Sequence, residues 1–167
     1  MATLIMLMTY LLALLAFVSA TPAPRDGTQG TIVSPAPGDT ISPGQAFDFK
    51  YNTMADYGSS SYNFTVFLVT SPAQAMVPST EFMQGHYFGR FQEANYPAVP
   101  YATNPPPSQL IMPNFDKSPG GFGSGSWAAN ATFYLAVLEE WDSGNGALGT
   151  KMSLAITPVI YNATTSS

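Results

Sequence analysis

The chain contains no cysteine, which excludes disulfide staples, thiol catalysis and thiolate metal sites. Charge is scarce as well: five basic and ten acidic residues make up 9% of the sequence. An average soluble domain carries about 25%, so the solvated surface here must be built from Ser, Thr, Asn, Gln, Gly and Pro. With so few cations and a net charge of -5 there is no basic stripe to displace the counterions of a nucleic acid or to hold an anionic membrane. A single histidine, His86, leaves nothing from which to assemble a multi-imidazole copper or zinc centre, so no metal and no cofactor are expected. Sustained helical periodicity and internal repeats are also missing.

What is present begins with an uncharged apolar run, Leu4 to Val18, ending in the small residues Val18-Ser19-Ala20. That pattern predicts a signal peptide over residues 1–20, cut after Ala20, and hence a secreted protein, extracellular or held in a cell wall. Thr21 would be the mature N-terminus, which also excludes an amino-terminal histidine brace. Residues 21–30 read as a flexible lead, 31–162 as one domain and 163–167 as a flexible end. No apolar tail follows Tyr161, so no glycolipid anchor and no stable membrane attachment are expected. A chain of this size buries about two-thirds of its unfolded surface and can fold without disulfides. Three Asn-x-Thr sequons, at Asn63, Asn130 and Asn162, predict a glycoprotein with those asparagines facing solvent.

Alternation of apolar and polar residues points to strands. Thr31-Ile32-Val33 is a short one, and Phe47, Phe49 and Tyr51 alternate with Asp48 and Lys50 in another. Solvent-facing Asn63 and Thr65 turn Phe64, Val66 and Leu68 to the core, leaving Phe67 and Val69 outside and in need of cover. By the same parity Asn130 and Thr132 turn Phe133, Leu135 and Val137 inward. A last strand alternates Met152, Leu154 and Ile156; the turn-rich Asp142 to Thr150 makes these two strands a hairpin. The expected core is Phe47, Phe49, Tyr51, Phe64, Val66, Leu68, Phe133, Leu135, Val137, Leu154 and Ile156.

Between Ser71 and Ser126 the pattern weakens and most of the prolines collect, with His86–Phe91 and Gln109–Met112 as short strand candidates. Long excursions of this kind are commonly functional. Tyr87, Phe88, Phe91, Tyr96 and Tyr101 cluster there, with Arg90, Glu93 and Asn95 between them. Exposed, such rings stack on sugars or apolar partners; packed inward, they anchor the excursion and cover Phe67 and Val69.

Catalytic constellations are weak. His86 has no Gly-x-Ser-x-Gly elbow to serve, and reads as a structural histidine. Glu139 and Glu140 are adjacent on a strand, point to opposite faces, and read as solvated residues at a strand end. Gly123-Ser124-Gly125-Ser126-Trp127-Ala128 fits a loose dinucleotide pattern but leads into a strand rather than a helix. Asp142-Ser143-Gly144-Asn145-Gly146 lacks the alternating ligands and final Glu of a calcium loop. No catalytic residue is assigned.

The segment from Thr31 through Ser34-Pro35-Ala36-Pro37-Gly38 and Ser42-Pro43-Gly44 to Tyr51 is similar to uncharacterised small secreted fungal β-sandwich proteins. So are Tyr62–Leu68, Gly85–Phe91, Asn104–Pro107 and Ala131–Glu140. The opening is also distantly similar to the N-terminal immunoglobulin-like domain of fungal Ser/Thr-rich cell-wall proteins, without the tryptophan of that motif or the Ser/Thr stalk. The resemblance implies a β-sandwich in an extracellular setting and brings no catalytic residue.

The sequence therefore predicts an all-β, immunoglobulin-like or fibronectin-like sandwich of about seven strands with a long Pro-rich loop excursion. It predicts a non-enzymatic module that binds a cell-wall polysaccharide or an extracellular protein through the aromatic excursion. The alternatives are a soluble effector-like or structural glycoprotein without a pocket and, last, a hydrolase, which would need a concave pocket joining His86 to Glu93, Glu139 or an aspartate.

Overall fold

The computed structural model describes residues 30–53, 55–56, 59–72, 84–94, 101–115, 128–143 and 151–165. The predicted signal peptide, residues 21–29, Tyr96, the Gly123–Trp127 stretch, most of the turn before Lys151 and Ser166–Ser167 lie outside them. The described chain is all β, with no α-helix.

The segments are β1 (Thr31–Ser34), β2 (Thr40–Ile41), β3 (Ala46–Asp48), β4 (Lys50–Asn52), β5 (Ala55–Asp56), β6 (Ser59–Val69), β7 (Gly85–Phe91), β8 (Gln109–Ile111), β9 (Asn130–Ser143) and β10 (Lys151–Asn162), followed by a 3-10 turn at Ala163–Thr165. The long strands form one sheet in the order β2-β10-β9-β6, with β5 and β7 both paired to β6. β9 and β10 are antiparallel from Trp141–Lys151 to Asn130–Asn162, as the expected hairpin requires. Two small antiparallel pairs, β1-β4 and β3-β8, complete the described strands.

The first segment of the chain contributes to two different sheets. β1 pairs antiparallel with β4. After the cis Ser34–Pro35 peptide the chain crosses over, and β2 then lies parallel to β10, with Thr40 beside Ile160 and Ile41 beside Tyr161. Gly38 N donates to Pro158 O at 2.8 Å and Ile160 N to Asp39 O at 2.8 Å, fastening that crossover to the large sheet.

The core gathers residues of one parity of the large sheet together with residues of the small pairs. Phe49 and Tyr51 come from the β3–β4 segment and pack their rings on Phe64 of β6, at centroid separations of 6.4 and 5.0 Å. A second aromatic group joins Phe115, Phe133 and Tyr161 at 5.2 to 5.4 Å. These spacings are those of favourable tilted and edge contacts. The Tyr161 hydroxyl, fully buried, accepts from Phe115 N at 2.9 Å, so the segment after β8 is fixed to the last strand by a polar bond as well as by rings.

Nine of the eleven expected core residues are buried; Leu154 and Ile156 are not. Leu154 is 39% exposed and Ile156 half-buried, while Thr157, Val159 and Tyr161 are turned inward. β10 carries apolar residues at both parities, so alternation alone does not choose its face, and the twelve-residue register with β9 decides for the odd positions. Glu139 is a second correction: it is fully buried rather than solvated, because it shares the inward parity of Phe133, Leu135 and Val137.

Candidate binding face

The aromatic residues of the excursion do not form one cluster. β7 pairs with β6, and the register slips between Val66/Gly89 and Phe67/Tyr87, leaving Phe88 as an extra residue. Such a bulge re-aims neighbouring side chains. Tyr87 consequently stands on the outer face beside Phe67, 5.6 Å between centroids, and remains 57% exposed. Phe88 turns to the core side and packs on Phe47 at 6.2 Å and His86 at 4.9 Å. Phe91 is buried against Phe64 at 6.0 Å, so its ring is not open to a ligand. Tyr101 is 86% exposed, and Tyr96 lies outside the described residues.

Gly89 makes this arrangement possible. A Cβ there would fall 2.5 Å from the Phe91 ring, and its φ of 156° is one that side-chain-bearing residues rarely adopt. The loop that carries Tyr101 is then tied to the end of β7. Gln92 N donates to Asn104 O at 2.7 Å, Asn104 Nδ2 donates to Arg90 O at 2.6 Å, and the Gln92 side-chain oxygen accepts from Thr103 N and Oγ1.

The face that Tyr87 joins is the outer side of the large sheet, and its rows follow from the registers. One row runs Ile156, Ala136, Phe67, Tyr87; the next runs Leu154, Leu138, Thr65, Arg90. Val69 and Ala136 are buried within it by their neighbours, while Met152, Leu154, Ile160 and Tyr87 are exposed. At the polar end Arg90 forms an ion pair with Glu140, and Asn63 lies opposite Glu140. At the other end Asn130 and Asn162 are direct cross-strand partners. Four of the seven exposed large hydrophobic side chains among the described residues lie on this face, and contiguous exposed apolar area of this kind marks contact surfaces.

Elsewhere among the described residues, apart from the buried Trp141 Nε1, which has no hydrogen-bond partner, the polar groups are engaged or dispersed. Tyr51 Oη donates to Glu139 Oε2 at 2.8 Å inside the core, and Gly30 lies so close over the pair that a Cβ would fall 1.8 Å from the phenolic oxygen. Burial, and then the charge and hydrogen bond of Glu139, raise the Tyr51 phenol well above its ordinary value. His86 sits edge-on to Phe88 and Phe115, away from that carboxyl group in the fold. A cleft of about 300 Å³ is lined by Ser34, Pro35, Asp39, Thr40, Ile41, Gln45, Ala46, Phe47 and Asp48; His86, Glu93 and Glu139 are not among its walls. Asp39 accepts from Ala36 N and Asp48 from Gln109 Nε2, so both carboxylates there brace the local backbone and strand pair. No group of three or more metal-ligating side chains occurs among the described residues.

No protein-family model matches the chain, and no curated protein matches it. The site is therefore defined by its own geometry: an apolar sheet face with one exposed tyrosine, a polar end at Arg90–Glu140, and sequon asparagines at both ends.

Proposed function

We propose that this chain is a secreted, non-enzymatic glycoprotein of immunoglobulin-like architecture that binds an extracellular protein through the outer face of its large sheet. The architecture is supported by the crossover that lets the first segment pair with β4 and then run parallel to β10. Taking β1 with β2 and β3 with β4 as single interrupted strands, and β5 as a two-residue appendage, β6 to β10 complete a set of seven. Secretion is supported by the apolar Leu4–Val18 run with its small-residue end and by the three sequons.

The observation that carries the binding reading is the apolar face on which Tyr87, Met152, Leu154 and Ile160 are exposed, with half-buried Phe67 beside Tyr87. Its aliphatic character favours a protein partner over a sugar, which is gripped by stacked aromatic rings. A wall polysaccharide is the second reading, favoured by the exposure of both Tyr87 and Tyr101 beside β7.

The test uses the purified secreted protein and insoluble cell-wall material, intact or stripped of protein by protease. Retention on intact walls that is lost after protease treatment, and lost with Leu154→Lys, supports the protein-binding reading. Retention on protease-treated walls, chitin or β-glucan that depends on Tyr87 and Tyr101 would replace it with the polysaccharide reading. Absence of retention on every material would overturn both.

A further inference from the structure

All three sequon asparagines stand on the same side of the large sheet. The alternation that turns Phe64, Phe133 and Tyr161 into the core turns Asn63, Asn130 and Asn162 away from it. Asn63 marks one end of the outer face, opposite Glu140, and Asn130 with Asn162 marks the other. Ten residues of β9 separate Glu140 from Asn130, on the order of 34 Å at about 3.4 Å per residue. The apolar rows lie between.

The side chains at the far end are held through their amide oxygens. Asn130 uses Oδ1 to accept from Ala163 N at 3.2 Å. Asn162 uses Oδ1 to accept from Thr164 N at 3.0 Å and from Thr164 Oγ1, the hydroxyl of its own sequon, at 2.6 Å.

We propose that these asparagines are N-glycosylation sites, Asn130 and Asn162 being alternatives to each other, whose glycans border the outer face and keep a second copy of the chain off it. The proposal rests on the reading of that face as a contact surface. A second copy offers the same apolar rows, so two such faces can meet about a two-fold axis. Arg90 and Glu140 neutralise each other on it, so charge does not hold two copies apart. Two bare faces could close to the roughly 10 Å separation of packed sheets. Hydrated glycans rooted at both ends and projecting from the same side prevent that approach, while the central row stays within reach of a narrower partner.

The experiment is the oligomeric state of the protein secreted by a eukaryotic host, before and after endoglycosidase trimming, measured by light scattering and sedimentation. A triple Asn63→Gln, Asn130→Gln, Asn162→Gln variant provides a second route to the bare chain. The expected result is a glycosylated monomer whose trimmed form doubles in mass at the same concentration. Leu154→Lys and Tyr87→Lys, both at exposed positions, should abolish the doubling without changing the melting temperature. The proposal is overturned if the bare chain stays monomeric, if it associates regardless of those two substitutions, or if intact mass shows no glycan on the secreted protein. Loss of wall retention, by contrast, bears on the binding reading alone and is measured without reference to oligomeric state.

Discussion

Tyr51 donates its phenolic hydrogen to Oε2 of Glu139 at 2.8 Å, joining residues 88 positions apart within the core. The bond links the β3–β4 segment to the middle of the large sheet and satisfies part of a fully buried carboxyl group. Tyr51→Phe removes that donor while keeping the ring on Phe64. The expected cost is about 1–3 kcal/mol, the penalty of a buried polar group left short of a partner. Chemical denaturation of the two proteins measures it; equal midpoints would show that the bond makes no net contribution.

The same pair gives an alkaline signature. The Tyr51 phenol is raised above its ordinary value of 10.0, so the unfolded chain releases this proton more readily than the folded one. Stability derived from the neutral phenol is thus fully present below that pH and is lost as pH rises through the folded value. Above pH 10.0 the denaturation midpoint of the wild type should fall more steeply than that of Tyr51→Phe. Parallel curves would remove the linkage.

Gly30 offers a steric test of the same spot. A Cβ at this position would meet Tyr51 Oη at 1.8 Å and Glu139 Oε2 at 2.2 Å. Gly30→Ala should therefore destabilise the domain by about 1–3 kcal/mol, as overpacking does. A thermal melt reads this directly, and an unchanged Tm would mean that the chain before β1 can lift away at no cost.

The face of β10 is tested by a contrasting pair. Val159 is buried and Leu154 is 39% exposed. Val159→Asp should abolish folding, since an unpaired buried carboxylate costs several kcal/mol. Leu154→Asp should change stability by no more than about 0.5 kcal/mol. The reverse pattern in secretion yield and melting would assign the strand the opposite orientation.

Asn130 and Asn162 yield a prediction about occupancy. Ala163 N donates to Ala129 O at 2.9 Å, which makes the neighbouring Asn162–Asn130 pair a non-hydrogen-bonded one. Cα atoms in such pairs lie about 4.5 Å apart and the side chains crowd. Glycopeptide mapping should find folded, secreted molecules carrying a glycan at Asn130 or at Asn162, never at both. Molecules with both occupied would show that the two sugars can diverge.

Much of the core was legible because polar residues separate Phe47, Phe49 and Tyr51, and because solvent-facing Asn63 and Asn130 fix the parity of β6 and β9. Asn162 carries the same signal for β10. Facing it outward turns Ile160, Ile156 and Leu154 outward too, which is what the structure has. The alternation of Met152, Leu154 and Ile156 masked that cue, because the opposite parity also holds Val159 and Tyr161. Leu110, Met112 and Phe115 are buried although they sit in a proline-rich stretch with no period; tertiary packing, not pattern, places them. At the candidate site, Tyr87 was identifiable by its type, but the separation of Phe88 and Phe91 from it was not. That separation depends on the bulge opposite Val66 and Phe67, and no local sequence rule announces a bulge. Glu139 looked like a surface residue because charge is rarely buried; its partner lies too far along the chain for spacing to reveal it.

The parallel seat of β2 on β10 has a kinetic meaning. β2, among the first of the described strands, finds its neighbour only when β10, the last of them, is available, and β6, though it can pair earlier with β5 and β7, gains its longest partner only with β9. Contacts of such long sequence separation have to close large loops before they are rewarded, which places a chain of this topology among slow folders, on timescales of milliseconds to seconds. Until β10 arrives, the edges of β9 and β2 that it will occupy have no partner. A chain emerging vectorially therefore cannot complete its main sheet until β10 has been made, and a pause or cut before Lys151 leaves the longest strand with an open, adhesive border.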